Sequence, residues 1–250
     1  TLASDLASVP DQTPDALVAR NTVQVYSALE DARPEVRDIL IRHVRDSTLG
    51  MARWAQRGPD IRDEADLDDY MHEVAGRVGW LLTEVFALHV PRVAEDREEM
   101  MRLGREFGLA LQTVNVIRGL HGDWERGWVF IPRSFLPDES DPRRLFDPAG
   151  RDRATELAIL DRLVPKAEAH LLAAQGYIAR IPSRERGIRQ FCLLPYLFAV
   201  RTLAISRRNP RVFQEETKIS RPEVKRIVFW SRLLGGSDRW VGWYARRLAR

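Results

Sequence analysis

The stretch GLALQTVNVIRGLHGDWERGWVFIP, residues 108–132, decides how this chain is read. Gln112, Asn115, Gly119, Gly122 and Asp123 recur at steps of three and four, so they share one side of a helix. Leu111, Val114 and Ile117 lie on other faces, which lets the helix pack on one side and present amides on another. Buried amides need partners, and a ligand or a metal-bound water could supply them. A stripe that holds a metal should end in carboxylates. This one ends in two glycines and leaves Asp123 alone. Arg118, Arg126 and Arg133 follow closely, in the manner of a phosphate clamp.

Helical periodicity extends to both sides of that stretch. Thr13 and Pro14 form a start signal for a helix over 13–31. Further helices are expected at 34–58, 65–90, 94–120, 152–181 with an interruption at Pro165, 186–208 and 220–235. The last segment, DRWVGWYARRLAR, reads as weakly helical and prone to fray. Residues 137–152, rich in Pro, Asp and Ser, read as a loop. No run has the two-residue period of a half-buried strand. The class is all-α, in a single domain over 1–250 with seven or eight helices.

Within DDYMHEVAGRVGW, residues 68–80, Ala75, Gly76 and Gly79 are small. A glycine in a helix interior costs about 1 kcal/mol relative to alanine. A helix accepts that cost where another helix or a ligand must come close. On residues alone, tight helix packing accounts for this stretch, and a solvated or internally satisfied face accounts equally well for Gln112 and Asn115.

Lys and Arg total 39 against 36 Asp and Glu, a net charge of +3 without a clustered excess, so a dedicated nucleic-acid binder is not expected. Cys192 is the lone cysteine, which excludes an intrachain disulfide and fits a reducing, cytoplasmic compartment. No uninterrupted apolar run approaches the roughly 18 residues of a membrane span.

Several of these stretches together resemble the squalene and phytoene synthase family. Residues 108–132 resemble its second aspartate-rich region. DDYMHEVAGRVG resembles its Y-x-x-x-V-A-G-x-V-G helix, and VRDSTLGMARW its D-x-x-x-G-M segment. FCLLPYLFAVRTLA and NPRVFQEETKISRPEVK are similar to the F-C-x-x-P and V-K-I-x-R segments of squalene synthases. The resemblance implies a helical bundle of isoprenoid-synthase type around a central hydrophobic tunnel. It implies head-to-head joining of two prenyl diphosphates, with magnesium as cofactor and NADPH for a reductive step. Farnesyl diphosphate going to squalene through a cyclopropyl diphosphate is the implied reaction, and the apolar product implies peripheral membrane contact. Oligomeric state stays open.

By the same resemblance, Tyr70 and Arg77 are expected to be catalytic. Gln112, Asn115, Arg118, Arg126, Lys218 and Arg221 are expected to bind diphosphate, and Asp123 and Asn115 to hold metal. Val74, Ala75, Gly76, Gly79, Leu111, Trp128, Phe191, Cys192 and Pro195 are expected to line the tunnel. The departures are Gly119 for an aspartate, Gly122 for a polar residue, Trp128 for an arginine and Phe130 for a tyrosine. Asp46, Glu73, His121 or Glu125 are candidates to supply the lost carboxylate or help the remaining one. The first aspartate-rich motif is not found, and the N-terminal helices that carry it are expected to be missing from the chain. The altered metal stripe leaves room for a terpene cyclase on the same fold, or for a paralogue without catalysis.

Overall fold

The computed structural model describes residues 16–18, 21, 29–58 and 60–250. Most of the helix expected at 13–31 lies outside them; residues 16–18, 21, 29 and 30 are helical. The chain divides into two units, residues 1–44 and 45–250. In the first, Pro34 opens helix α1, Pro34–Arg57, at the position where a proline's missing N–H is harmless. The site lies in the second unit.

There the helix expected at 65–90 is built in three parts: α2, Glu64–Met71; a π-helical turn, His72–Gly76; and α3, Arg77–Ala87. Asp63 caps α2 by accepting from the Asp66 backbone N–H. A short α4, Pro91–Glu95, precedes α5, Arg97–Glu125. Then come α6, Arg153–Arg180; α7, Arg186–Ser206; α8, Arg221–Leu234; and α9, Asp238–Leu248. Two short 3-10 turns, Pro137–Glu139 and Pro142–Phe146, lie in the expected loop, and a third, Arg133–Phe135, precedes it. Among the described residues there is no strand.

Two expectations need correcting. Helix α6 runs through Pro165 without a break. A mid-helix proline costs about 3 kcal/mol, and buried Leu160, Leu163, Val164, Ala167 and Leu171 on either side offset it. Residues 238–248 are also a full helix. Ser237 caps it, and Val241, Tyr244, Ala245 and Leu248 bury one face.

Helix α5 is the axis of this unit and packs against α6, α3, the π-helical turn and α7. Its approach to α3 has no room for side chains. A Cβ at Gly79 would overlap the Gly104 carbonyl oxygen, and one at Gly108 would overlap the Ala75 carbonyl oxygen. Thr83 Oγ1 donates to the Gly79 carbonyl at 2.8 Å and shares a hydrogen bond with the Tyr177 hydroxyl at 2.9 Å, which pins the crossing to α6. A similar constraint acts on α1. The Glu73 carboxylate, held by Arg53 and Arg77, occupies the space a side chain at Gly50 would need.

Gly79→Ala should therefore lower stability by about 3 kcal/mol, a fall of roughly 10 °C in Tm. Gly122→Ala, with only Arg126 Nη1 near at 3.9 Å, should gain up to about 1 kcal/mol. Urea unfolding of both variants checks this; a Gly79→Ala protein as stable as its parent would refute the close crossing.

Candidate active site

Because the glycines draw α3 and α5 together at one level, the helices leave a hollow beside it. This cavity, about 330 Å³, is walled by α3, α5 and α7. Val74, Ala75, Gly79, Leu82 and Phe86 form one side, Gly104, Phe107, Gly108 and Leu111 the floor, and Cys192 and Pro195 the other side. Tyr177 closes it from α6. No cationic or anionic side chain lines it. Burial pushes the Cys192 thiol up to about 12, so it is a neutral apolar wall group and not a nucleophile.

Gln112 and Asn115 end this apolar space and begin a polar one. The second cavity, about 430 Å³, is lined by Tyr70, Arg118, Gly119, Gly122, Asp123, Arg126, Trp128, Phe130 and Glu216. A third space of about 420 Å³ adjoins both. It shares Leu111, Asn115, Arg118 and Pro195 with them and runs past Phe198 and Ala199 to Lys218.

The polar mouth sits at the C-terminal end of α5. Gly127, at φ 85°, takes the left-handed conformation that ends the helix. The chain then doubles back, with Trp128 N–H donating to the Asp123 carbonyl at 2.9 Å. This lays Trp128 over Phe130, centroids 5.8 Å apart and nearly parallel, with Tyr70 4.6 Å from Phe130 and Trp54 edge-on to Tyr70 at 5.5 Å. Opposite this aromatic wall, Arg118 Nε donates to Asn115 Oδ1 at 3.2 Å. Its Nη1 pairs with Glu216 at 3.2 Å, and Lys218 pairs with the same carboxylate at 2.7 Å. The Thr217 N–H donates to the Arg118 carbonyl at 3.2 Å, which ties this loop to α5.

Burial raises the Asp123 carboxyl above its usual range, and its partner Arg126 opposes the rise. Burial also raises the Tyr70 phenol, the Asp123 charge adding to it and Arg126 opposing, so Tyr70 is a neutral hydroxyl near pH 7. Lys218 holds Glu216 below the usual carboxylate range.

Comparison with known proteins gives this arrangement its context. The sequence model of the squalene/phytoene synthase family matches residues 2–223. The chain belongs to that family. It is 30% identical over 215 residues to the squalene synthase of Schizosaccharomyces pombe, covering 84% of this chain and 45% of that protein. It is 32% identical over 188 residues to the squalene synthase of Homo sapiens, covering 72% and 42%. Among solved structures, a complex of TcSQS with the ligand BPH1237 superposes with a TM-score of 0.81 at 25% identity, over 95% of this chain and 69% of that one. The chain spans less than half the length of these two curated relatives.

The family's motif positions fall unevenly around the cavities. Tyr70, Gln112, Asn115, Arg118, Asp123 and Arg126 converge on the mouth. Val74, Ala75, Gly79, Leu111, Cys192 and Pro195 line the apolar cavity, with Phe191 at its exposed end near Phe86. Lys218 lies in the third space. Other expected residues lie elsewhere. Arg77 is bound to Glu73 away from all three spaces. Gly76 faces the His72 ring and Leu109 at the helix crossing, so it packs and does not line. Trp128 stands at the mouth and not in the tunnel. Arg221 is exposed at the start of α8, and Arg133 is drawn to Asp60 at 2.6 Å. Asp46 pairs with Arg45, Glu73 with Arg53 and Arg77, and His121 packs at a tilt against Trp124, so none of them fills the space at Gly119. Glu125 is within 3.7 Å of His121 and outside the mouth lining.

Sequence reasoning missed Glu216, the second carboxylate of the mouth. It comes from a loop about a hundred positions away, where no periodic pattern could signal it. It also missed Gly104 and Gly108, although their spacing of four pairs with Gly76 and Gly79 as a small-residue crossing.

The neutral, buried Cys192 gives a prediction. Iodoacetamide should modify the native protein on the order of 1,000-fold more slowly than a free thiol at pH 8, the rate rising about ten-fold per pH unit to beyond pH 10. Rapid alkylation at neutral pH would show that the cavity wall is not closed and apolar.

Proposed function

We propose that the cavities hold two prenyl diphosphates and join them head to head, with farnesyl diphosphate as substrate and the cyclopropyl diphosphate that leads to squalene as product. The observation that carries this reading is the meeting of two spaces, one without any charged side chain, with one charged mouth at Asn115. An apolar tail gains about 0.8 kcal/mol for each methylene it buries, and the diphosphate must then stand at the arginines. Two tail spaces on one mouth suit two chains.

Arg118, Arg126 and Lys218 would grip the diphosphate oxygens. The C1–O bond of the first substrate breaks and its electron pair leaves with the diphosphate. The second chain's alkene supplies the pair for the new carbon–carbon bond. Loss of one proton from C1 of the first chain closes the ring, and the released diphosphate, still held at the mouth, takes it. Tyr70, a neutral donor, hydrogen-bonds that diphosphate. The faces of Trp128, Phe130 and Tyr70 stabilise the passing cation.

Asp123 is a carboxylate whose burial Arg126 only partly offsets, which is the setting a cation would relieve. Among the described residues no three metal-ligating side chains cluster. Magnesium commonly takes only one or two carboxylates beside water and substrate phosphates. Asp123, Glu216 and the Asn115 amide fit one such ion shared with the diphosphate, and it would supply charge neutralisation of the leaving group. NADPH would supply hydride for squalene formation; the apolar cavity has no cation for its phosphates.

Incubation of the full-length protein with farnesyl diphosphate and magnesium should release pyrophosphate and give a C30 product. A cyclic C15 product would replace the proposal with a terpene cyclase, and no release of pyrophosphate would leave a binding protein without catalysis. Gly119→Asp supplies a finer test. A Cβ there meets only Asp123 Oδ2, at 3.6 Å, so the new carboxylate fits beside the old. Activity should persist, with half-saturating magnesium lowered about ten-fold, the equivalent of roughly 1.4 kcal/mol. Collapse of activity in a folded variant would show that the glycine serves another geometry.

A further inference from the structure

A cavity of about 620 Å³, larger than any of the three spaces around the active site, lies where α7, α8 and α9 meet. Arg226, Trp230 and Leu234 recur every fourth residue along α8 and face it. Trp240, Trp243, Tyr244 and Arg247 face it from α9, and Arg201 from α7. No carboxylate lines it. Arg201 is engaged by Glu223 at 2.8 Å. Arg226 has no carboxylate partner among the described residues, and Arg247 lies over the Trp243 ring at 5.8 Å. Tyr244 is 5% exposed, and its buried hydroxyl lies beside the Arg226 guanidinium.

Beside this cavity α8 carries a second stripe, Val224, Lys225, Val228, Phe229, Arg232 and Leu233. Phe229 is 61% exposed, Leu233 64% and Trp243 51%. Charge is concentrated here too. Residues 221–250 hold eight basic side chains against two acidic ones, a net of +6, while residues 1–220 hold 31 against 34, a net of −3. Both acids of the segment are paired with arginines, Glu223 with Arg201 and the exposed Asp238 with the buried Arg189 at 2.6 Å. The outer face of α8 and α9 is thus basic and aromatic together.

We infer that the α8–α9 face docks on a bilayer containing anionic phospholipid, with a lipid phosphate at Arg226 and Arg247 and with Phe229, Leu233 and Trp243 entering the interface. Each part suits that surface. Tryptophan sits at headgroup depth, with an apolar body and a polar edge. Arginine stems lie along apolar surface while their heads reach phosphate. Basic residues near an anionic leaflet each add to binding, and exposed Phe and Leu add the apolar part. A nucleic acid would meet the charge but gain nothing from Phe229 and Leu233, and an acidic protein surface would leave no use for the row of large apolar groups at the helix surface. Helix α7 has the length and mean hydropathy to cross a membrane, but half of that stretch is buried and it packs among α5, α6, α8 and α9; the docking face is separate from it. Binding of this kind needs no turnover, so vesicle binding and product formation can fail independently.

The test is flotation of the full-length protein with phosphatidylcholine vesicles in which about one lipid in three is phosphatidylglycerol. The protein should float with these, be released by high salt, and stay behind with pure phosphatidylcholine. Arg226→Ala and Arg247→Ala should each weaken partitioning about five-fold. The double variant Phe229→Ser, Leu233→Ser should weaken it at least about ten-fold, with circular dichroism and Tm unchanged because both side chains are exposed. No flotation, flotation indifferent to lipid charge, or variants that float as well as the parent would overturn the inference. So would a dimer in light scattering that Phe229→Ser, Leu233→Ser dissolves while vesicles are ignored, since the face would then be a protein interface. Binding of soluble pyrophosphate at Arg226 without vesicle binding would also overturn it, leaving a small-anion site.

Discussion

The contact of α3 with α5 through bare backbone sets the rest of this structure. Gly79 against Gly104, and Ala75 against Gly108, bring two helices closer than side chains permit. The helices cannot then fill the space that opens next to the crossing, and α7 closes it with Cys192 and Pro195. An apolar hollow therefore follows from a row of small residues. The Thr83 hydroxyl, bonded to the Gly79 carbonyl and to Tyr177, fixes the crossing in place.

The same helix that floors the hollow ends at its mouth. Along α5 the lining changes from Phe107 and Leu111 to Gln112 and Asn115, then to Arg118 and Asp123. One axis thus runs from apolar to polar in a few turns. Such a gradient would align an amphiphile, as proposed above, with its tail inward and its charged head at the arginines. The aromatic wall of Tyr70, Trp128 and Phe130 lines the polar mouth, because Gly127 turns the chain back over the helix end.

Much of this was legible in the sequence, for physical reasons. Helices α1, α2–α3, α5, α6, α7 and α8 follow from apolar periodicity and from proline and glycine punctuation. The stripe Gln112, Asn115, Asp123 was readable because residues on one helix face keep a fixed spacing. Residues set by tertiary context were not. Glu216 reaches the mouth from a loop held by the Thr217 to Arg118 backbone bond. Arg77 and Arg133 carry the right charge but are claimed by Glu73 and Asp60. Helix α9 looked weak by local propensity, yet Val241, Tyr244 and Leu248 bury a face that composition does not show. Pro165 looked like a break, and packing along α6 overrides it.

The central claim is that tail and head of one ligand are bound by adjoining, chemically opposite spaces. Calorimetric titration of the full-length protein with unreactive farnesyl thiodiphosphate and with inorganic pyrophosphate tests it most directly. The apolar tail should tighten binding at least about 1,000-fold, roughly 4 kcal/mol, with a negative heat-capacity change. Equal affinity for the two ligands would mean that the hollow beside Gly79 and Cys192 takes no tail, and the account would be contradicted.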